Sequence, residues 1–205
     1  VQAITALRMA RAAPNGIDDA SLLLVPWMQM APASDPGVAD VLGRLRNVPG
    51  VLSATAANQA PYDATAWSVQ VWTATHPATK HVVSVFLGDE DFASTLGMAT
   101  SAGRHFMTDE FRDYRGDQTD LQAGTHSVLV SSALASRLYG RSDPLGRPLL
   151  MAPGARLRVV GVFERLPPPA GARDTGDLAV VLPVRMSRAA DARFIVRHAA
   201  DPEIV

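Results

Sequence analysis

Residues 127–163 read SVLVSSALASRLYGRSDPLGRPLLMAPGARLRVVGVF, and the pattern predicts strand, helix, turn, strand, turn and strand in that order. Ser127 to Ser131 form the short apolar run that is typical of a buried strand. Ser131 or Ser132 is suited to cap the helix that follows, because a serine hydroxyl can accept a hydrogen bond from the first helical turn. Gly140 is suited to end the helix, since glycine tolerates the left-handed backbone that many helix ends need.

The second half of this stretch predicts a tight turn and a strand. In Asp143-Pro144-Leu145-Gly146, proline fixes its own φ and glycine can take a positive φ, which is the chemistry of a turn. Arg156 to Phe163 alternates at first and then becomes apolar on both faces. This change predicts a strand that begins at an edge of the fold and runs into its core.

Three motifs in this order, LVSSALASRLYG, DPLG and VVGVF, resemble the extracytoplasmic core domain of MacB/FtsX-type ABC transporter permeases. Upstream, Gly103-Arg104-His105-Phe106 and the following Thr108-Asp109-Glu110 are similar to the family's G-R-x-F-x-x-x-E segment. The motif-bearing part runs from about 103 to 163. The resemblance implies a structural role for its motif residues, which are Gly103, Arg104, Phe106, Asp143, Pro144, Gly146 and Gly161.

The predicted fold class is α+β. Most connections are too short for parallel crossovers, so the sheets are expected to be antiparallel or mixed. The resemblance implies two subdomains, a mixed α/β unit that opens with strand–helix–strand and a more β-rich inserted unit. We expect residues 1–16 to continue a membrane span as a helix. Residues 17–100 with 186–205 would form the first subdomain, and 101–185 the second.

Pattern also predicts the outer elements. Asp35 is expected to cap a helix with Pro36 as its first residue, and Asp89 to cap a short helical turn that ends at Gly97. The predicted strands are Ser21 to Met30, Leu52 to Ala56, Trp67 to Thr73, Lys80 to Leu87, Leu178 to Val184 and Arg193 to Arg197.

Composition excludes several classes of protein. The hydrophobic content of 47% and charged content of 19% predict a globular chain. A formal net charge of −1 argues against a nucleic-acid partner. The chain has no cysteine, so disulfides and cysteine-ligated zinc are excluded. No apolar run reaches the roughly 20 residues of a membrane helix, so we expect any spans to flank this segment.

The sequence shows no catalytic motif such as G-x-S-x-G, H-E-x-x-H or a Walker A loop. No cofactor or metal is therefore expected, and the closest histidine pair, His76 and His81, suits neither one helix face nor one strand face. Arg104 could contact a partner or a lipid headgroup, or it could pair with an acid in the neighbouring subdomain.

Two further features suggest binding surfaces. Pro167, Pro168 and Pro169 predict an exposed, stiff loop that either contacts a partner or is an inert connection. The three tryptophans either mark an apolar cleft or occupy core and half-buried strand positions: Trp27, Trp67 and Trp72.

The resemblance implies a non-catalytic domain on the periplasmic side of the bacterial inner membrane. There it would couple ATP hydrolysis by a cytoplasmic subunit or fused domain to work on a substrate or adaptor. It implies a second permease copy and a periplasmic adaptor or lipoprotein as partners, with membrane contact only through flanking spans. An alternative is a stand-alone secreted domain that binds a hydrophobic ligand. A third hypothesis, an enzyme with a site built from scattered acids and histidines, requires a concave cluster of at least three polar groups.

Overall fold

A computed structural model of the chain describes residues 16–25, 36–114, 125–172 and 174–199. Within these ranges the helices are α1 (Val38–Arg46), α2 (Phe92–Leu96) and α3 (Ser132–Tyr139). The strands are β1 (Leu22–Val25), β2 (Val51–Ala57), β3 (Ser68–Trp72), β4 (His81–Gly88), β5 (Thr100–Gly103), β6 (Arg112–Tyr114), β7 (Thr125–Ser131), β8 (Pro148–Met151), β9 (Ala155–Phe163), β10 (Ala179–Met186) and β11 (Arg193–His198).

The described strands join in the order β1-β11-β2-β4-β3-β8-β9-β7-β10-β6, and β5 pairs with β9 beside this path. β7 runs parallel to β9, and β10 runs parallel to both β4 and β6. The remaining described pairings are antiparallel. The predicted α+β class and the predicted mixed pairing are therefore confirmed.

The stretch from 127 to 163 folds as its pattern predicts. The Ser131 hydroxyl accepts a hydrogen bond from Leu134 N–H at 3.2 Å, so Ser131 is the cap and Ser132 the first helical residue. The helix ends at Gly140, which has a φ of 63°. Cap and stop are local chemistry, which is why the sequence alone identifies them.

Alternation along the strands gives the sheet two different apolar faces. The first face packs against α1 and α3, through residues that include Val41, Leu42, Val85, Val128, Leu134, Val159 and Val196. The second face packs against α2 and the chain after β9, through residues that include Phe86, Phe92, Leu96, Leu129, Phe163, Leu166 and Ile195. Helices therefore cover the sheet from both sides, and α2 marks the side on which the candidate site lies.

Two predicted helix starts are wrong. α1 begins at Val38 and its N-cap is Gly37, so Pro36 is not its first residue, and Asp35 lies outside the described residues. Val38 N–H instead donates to the carbonyl oxygen of Ser187 at 3.3 Å, so a neighbouring backbone takes the place of a side-chain cap. The N-cap of α2 is Asp91 and not Asp89. One Asp89 carboxylate oxygen still accepts from Asp91 N–H at 3.1 Å in the turn before the helix, and the other accepts from Ala56 N–H of β2 at 3.0 Å.

The predicted terminal helix, apart from Gly16, and most of the predicted loop from 113 to 125 lie outside the described residues, as do the last residues of the predicted strand to Met30. The division into two subdomains stays a prediction. The structure adds that β10, from the predicted second subdomain, pairs with β4 of the first over Ala179–Pro183 and Ser84–Gly88.

Candidate functional site

Two motif glycines lie opposite each other where β5 meets β9. Gly103 pairs with Gly161, and Arg104 N–H donates to the carbonyl oxygen of Val160 at 3.0 Å. A Cβ on Gly103, which has a φ of 78°, would collide with the Val160 carbonyl oxygen, and a Cβ on Gly161 would collide with the Arg104 carbonyl oxygen. Both positions therefore require glycine because the two backbones approach too closely for any side chain.

This close approach directs Arg104 towards Glu110. Two guanidinium nitrogens of Arg104 each donate to one Glu110 oxygen at 2.7 Å. Glu110 also accepts from the backbone N–H of Met107 at 2.7 Å and from the Ser127 hydroxyl. The predicted pairing of Arg104 with an acid is correct, but the acid lies six residues along the same segment and not in a neighbouring subdomain.

The charge of this cluster is fixed by its hydrogen bonds. The bidentate Arg104 contact, helped by Ser127 and Met107 N–H, outweighs the desolvation that partial burial causes and lowers the pKa of Glu110 from 4.5 to about 2. Glu110 therefore stays ionised at neutral pH, although its side chain is only 18% exposed and is mostly removed from water. A carboxylate that stays charged and accepts four hydrogen bonds is a poor proton donor or acceptor at neutral pH. We therefore call the Arg104–Glu110 pair a structural clamp.

Residues next to the Arg104–Glu110 clamp, namely His105, Phe106 and Phe111, form one wall of a cleft of about 220 Å³ beneath α2. Phe106 stacks edge-on against Phe111, with ring centroids 5.8 Å apart, and packs against the second apolar face. Leu129 and Val181 belong to the lining. Phe106 thus has a packing role, as the resemblance implies for this motif residue.

The opposite wall of the cleft carries acids that are already engaged. Arg185 donates to Glu90 from Nε at 2.8 Å and lies 5.3 Å from the centroid of Phe111. Partial burial raises the pKa of Glu90, but hydrogen bonding and charge from Arg185 outweigh it, so the pKa is lowered. Burial raises the pKa of Asp89, against hydrogen bonds from the Thr55 hydroxyl, the Ala56 N–H at 3.0 Å and the Asp91 N–H at 3.1 Å.

The turn motif lies beside the glycine pair. The Asp143 carboxylate accepts from Leu145 N–H at 3.0 Å, Arg147 N–H donates to the Pro144 carbonyl at 3.2 Å, and Gly146 has a φ of 73°. Leu145 packs against Gly103, where an added Cβ would come within 2.7 Å of the leucine side chain. The structure thus brings the motif segments together around β5 and β9 as a packing unit.

The proline run is not exposed as predicted. Pro167 and Pro169 are buried and Pro168 is half-buried. The Pro168 carbonyl accepts from Tyr62 N–H at 3.3 Å, and Ala170 N–H donates to the Asp63 carbonyl at 2.8 Å. The run is held against the 60–63 loop, and contact of these prolines with a partner stays a prediction without the exposure on which it rested.

The two tryptophans that the structure describes, Trp67 and Trp72, do not share one cleft. Trp67 packs with Tyr114 beside the first apolar face, with ring centroids 6.3 Å apart. Trp72 is half-buried on the second face, where the Lys80 ammonium lies 5.0 Å from its ring centroid. Trp27 lies outside the described residues.

Sequence reasoning considered Glu90 as an acid but did not place Phe111 in the cleft, and it did not foresee that Arg185 would bind Glu90 beside it. They come from three distant segments, and their meeting depends on β10 lying next to β4 and β6. No local pattern indicates such a meeting. Among the described residues, no three His, Cys, Asp or Glu side chains lie together in a way that could hold a metal.

The comparisons with known proteins identify the family. None of the curated proteins compared with the chain matches it. The fold is similar to the extracellular domain of the noncanonic ABC-type transporter YknZ from Gram-positive bacteria, with a TM-score of 0.52, 16% identity, and coverage of 83% of this chain and 77% of that one. It is also similar to the periplasmic region of MacB from Actinobacillus actinomycetemcomitans, with a TM-score of 0.52, 14% identity and coverage of 88% and 70%.

Within the described residues, no helix is long and apolar enough to cross a membrane. The family model for the MacB-like periplasmic core domain matches residues 5–204. The match includes every motif residue around β5 and β9 described above. The chain belongs to the MacB-like periplasmic core domain family.

Proposed function

We propose that this chain is the periplasmic domain of an ABC transporter permease of the MacB/FtsX type. In this proposal it couples ATP hydrolysis in the cytoplasm to work on a substrate or adaptor outside the inner membrane. The ATPase is a separate subunit or a fused domain, and a second permease copy, an adaptor or a lipoprotein are the expected partners. The domain is non-catalytic and acts mechanically.

The observation that carries the proposal is the pairing of the first and last described strands. β1 and β11 are antiparallel, and Leu22, where β1 begins, lies opposite Arg197, near the end of β11. The chain therefore enters and leaves this sheet at one place. A domain attached at a single place moves as a body when both flanking segments move.

A hydrogen-bond network reinforces that place. The Arg197 guanidinium donates to the Asp18 carboxylate and the Ser21 hydroxyl, each at 2.5 Å, and to the Thr95 carbonyl at 2.8 Å. Arg197 is 15% exposed at its side chain. The network ties the segment before β1 to β11 and α2, so displacement of the attachment point is passed to the wall of the cleft.

The cleft gives less support to a stand-alone ligand-binding domain. The volume of the cleft beneath α2, about 220 Å³, is below the roughly 300–1,000 Å³ typical of small-molecule sites. The two acids of this cleft, Glu90 and Asp89, are already hydrogen-bonded within the protein. The groove beside Trp67 and Tyr114, at about 400 Å³, falls within that range and is where this alternative would be tested.

Excision of the domain from the full-length permease tests the proposal. Because Leu22 and Arg197 lie opposite each other, a short Gly/Ser linker can replace residues 22–197 without separating the flanking segments. We expect the complex with its ATPase to keep hydrolysing ATP, and the variant to fail to complement a strain that lacks the gene. Full complementation by the excised variant would contradict the proposal.

A further inference from the structure

One part of the second sheet face is left open by α2, where β3, β8, β9 and β7 lie side by side. The register sets Trp72 opposite Leu150, Leu150 opposite Arg156, and Arg156 opposite Thr125. Arg158 lies in the next row, between Pro148 and Ser127. We call this surface the arginine face, defined by Trp72, Lys80, Leu150, Arg156 and Arg158.

The cations of the arginine face are not neutralised by the described part of the chain. Arg156 and Arg158 are exposed, and neither side chain has a hydrogen bond or ion pair with a described residue. Lys80 is exposed, its ammonium lies 5.0 Å from the ring centroid of Trp72, and it has no hydrogen bond or ion pair with a described residue. The acid that reaches this face at Ser127 is Glu110, and Arg104 already holds its carboxylate.

Apolar side chains fill the space between the cations. Trp72 and Leu150 are half-buried, and they separate Lys80 from Arg156 along one row. With strands about 4.8 Å apart, this row is roughly 14 Å long. Val82, which is 36% exposed, extends the apolar surface onto β4 opposite Gln70. Tryptophan and arginine are residue types that protein–protein hot spots favour, and this face has one tryptophan and two arginines.

We propose that the arginine face docks an acidic surface of another protein. Complementary charge favours an anionic partner for this face, because its three cations lack a carboxylate partner among the described residues. A membrane surface fits less well. Polybasic lipid-binding segments typically cluster about 4–8 Lys and Arg, whereas this face has three cations, and the whole chain has a net charge of −1. The flat, partly apolar row suits a folded protein partner.

This inference deepens the proposed function, since it gives the chemistry of an extracytoplasmic partner. Its failure can be told apart from failure of the coupling proposal. Excision of the domain tests coupling whatever the arginine face binds. Variants of the arginine face test docking without removing the domain.

The test places a photocrosslinking amino acid at Gln70 in the full-length permease in cells. Gln70 is exposed on β3 beside this face, and Ser136, exposed on α3 at the opposite face, is the control position. We expect a protein crosslink from Gln70 but not from Ser136, onto a peptide rich in Asp and Glu. No crosslink from Gln70, or a crosslink to lipid, would overturn the proposal.

Charge reversal then tests the cations themselves. We expect Arg156→Glu/Arg158→Glu to lower the crosslink yield about tenfold, and Arg137→Glu/Arg141→Glu, also at exposed positions, to leave it unchanged. An equal yield in both double variants would overturn the proposal. A second test mixes the 205-residue chain with phosphatidylglycerol vesicles. If the chain sediments with the vesicles and Arg156→Glu/Arg158→Glu abolishes this sedimentation, the arginine face binds the membrane and the proposal of a protein partner is overturned.

Discussion

Replacing Glu110 by glutamine should destabilise the domain, because it removes the charge that holds Arg104. Glutamine has nearly the same shape and can still accept the Met107 N–H, so the change isolates the ionic part of the clamp. With the amide oxygen in the place of Oε2, Arg104 keeps one bond to a neutral acceptor. It loses the other 2.7 Å bond, because the amide nitrogen then faces both a guanidinium N–H and the Ser127 hydroxyl.

The magnitude follows from the pKa of Glu110, which falls from 4.5 to about 2 on folding. A shift of this size corresponds to an upper limit of about 3–4 kcal/mol of stability at neutral pH. The Arg104 side chain is 40% exposed, so water screens the pair and the expected loss is about 1–2 kcal/mol. Because the pKa is lowered in the folded state, this stability is present above the unfolded pKa and is lost as pH falls towards 2.

Urea unfolding of wild type and Glu110→Gln at a series of pH values measures this effect. We expect wild type to be more stable by about 1–2 kcal/mol at pH 7, and the difference to shrink between roughly pH 4.5 and pH 2. Glu164→Gln, at an exposed glutamate just after β9, is the control and should leave stability unchanged. Equal stability of Glu110→Gln and wild type at pH 7, or a difference that does not change with pH, would refute the reasoning.

Two further substitutions test the packing around the clamp and the α3 cap. Gly161→Ala should lower the free energy of unfolding in urea by more than about 2 kcal/mol, because its Cβ would collide with the Arg104 carbonyl oxygen and lie 2.9 Å from Leu129. The control is Gly43→Ala in α1, where a Cβ would have nothing within 4 Å, and it should raise the free energy of unfolding by about 0.5–1 kcal/mol. Ser131→Ala removes a fully buried hydroxyl that accepts from Leu134 and Ala179 N–H and donates to the Asp177 carbonyl. Ser131→Ala should lower the free energy of unfolding by about 1–3 kcal/mol, whereas the control Ser136→Ala, at an exposed position, should show no measurable loss. Stability equal to wild type in either Gly161→Ala or Ser131→Ala would count against the described packing.

Local chemistry explains which parts of the fold could be predicted from the sequence. The Ser131 cap, the Gly140 stop and the alternation at the start of β9 depend on residues close together in the chain, and the structure has all three. The motif glycines could be identified by resemblance, but the physical reason why glycine is needed at these positions could not. That reason is the pairing of Gly103 with Gly161, which brings together two segments that are far apart in the sequence.

Long-range contacts explain what sequence reasoning missed. The proline run reads as an exposed loop because its burial depends on backbone hydrogen bonds to Tyr62 and Asp63, far away in the chain. Asp89 reads as a helix cap because its bond to Ala56 N–H cannot be seen in its own segment. The arginine face is missed because its residues come from separate strands, and only the register brings them into rows.

The central proposal, that this domain moves in response to ATP hydrolysis, is tested most directly by a distance measurement between two permease copies. A spin label at Leu52→Cys is suitable because Leu52 is 66% exposed and this chain has no native cysteine. In the full-length transporter with its ATPase, we expect the distance between the two labels to differ between the nucleotide-free and vanadate-trapped states. Identical distance distributions in the two states of an actively hydrolysing complex would contradict the account.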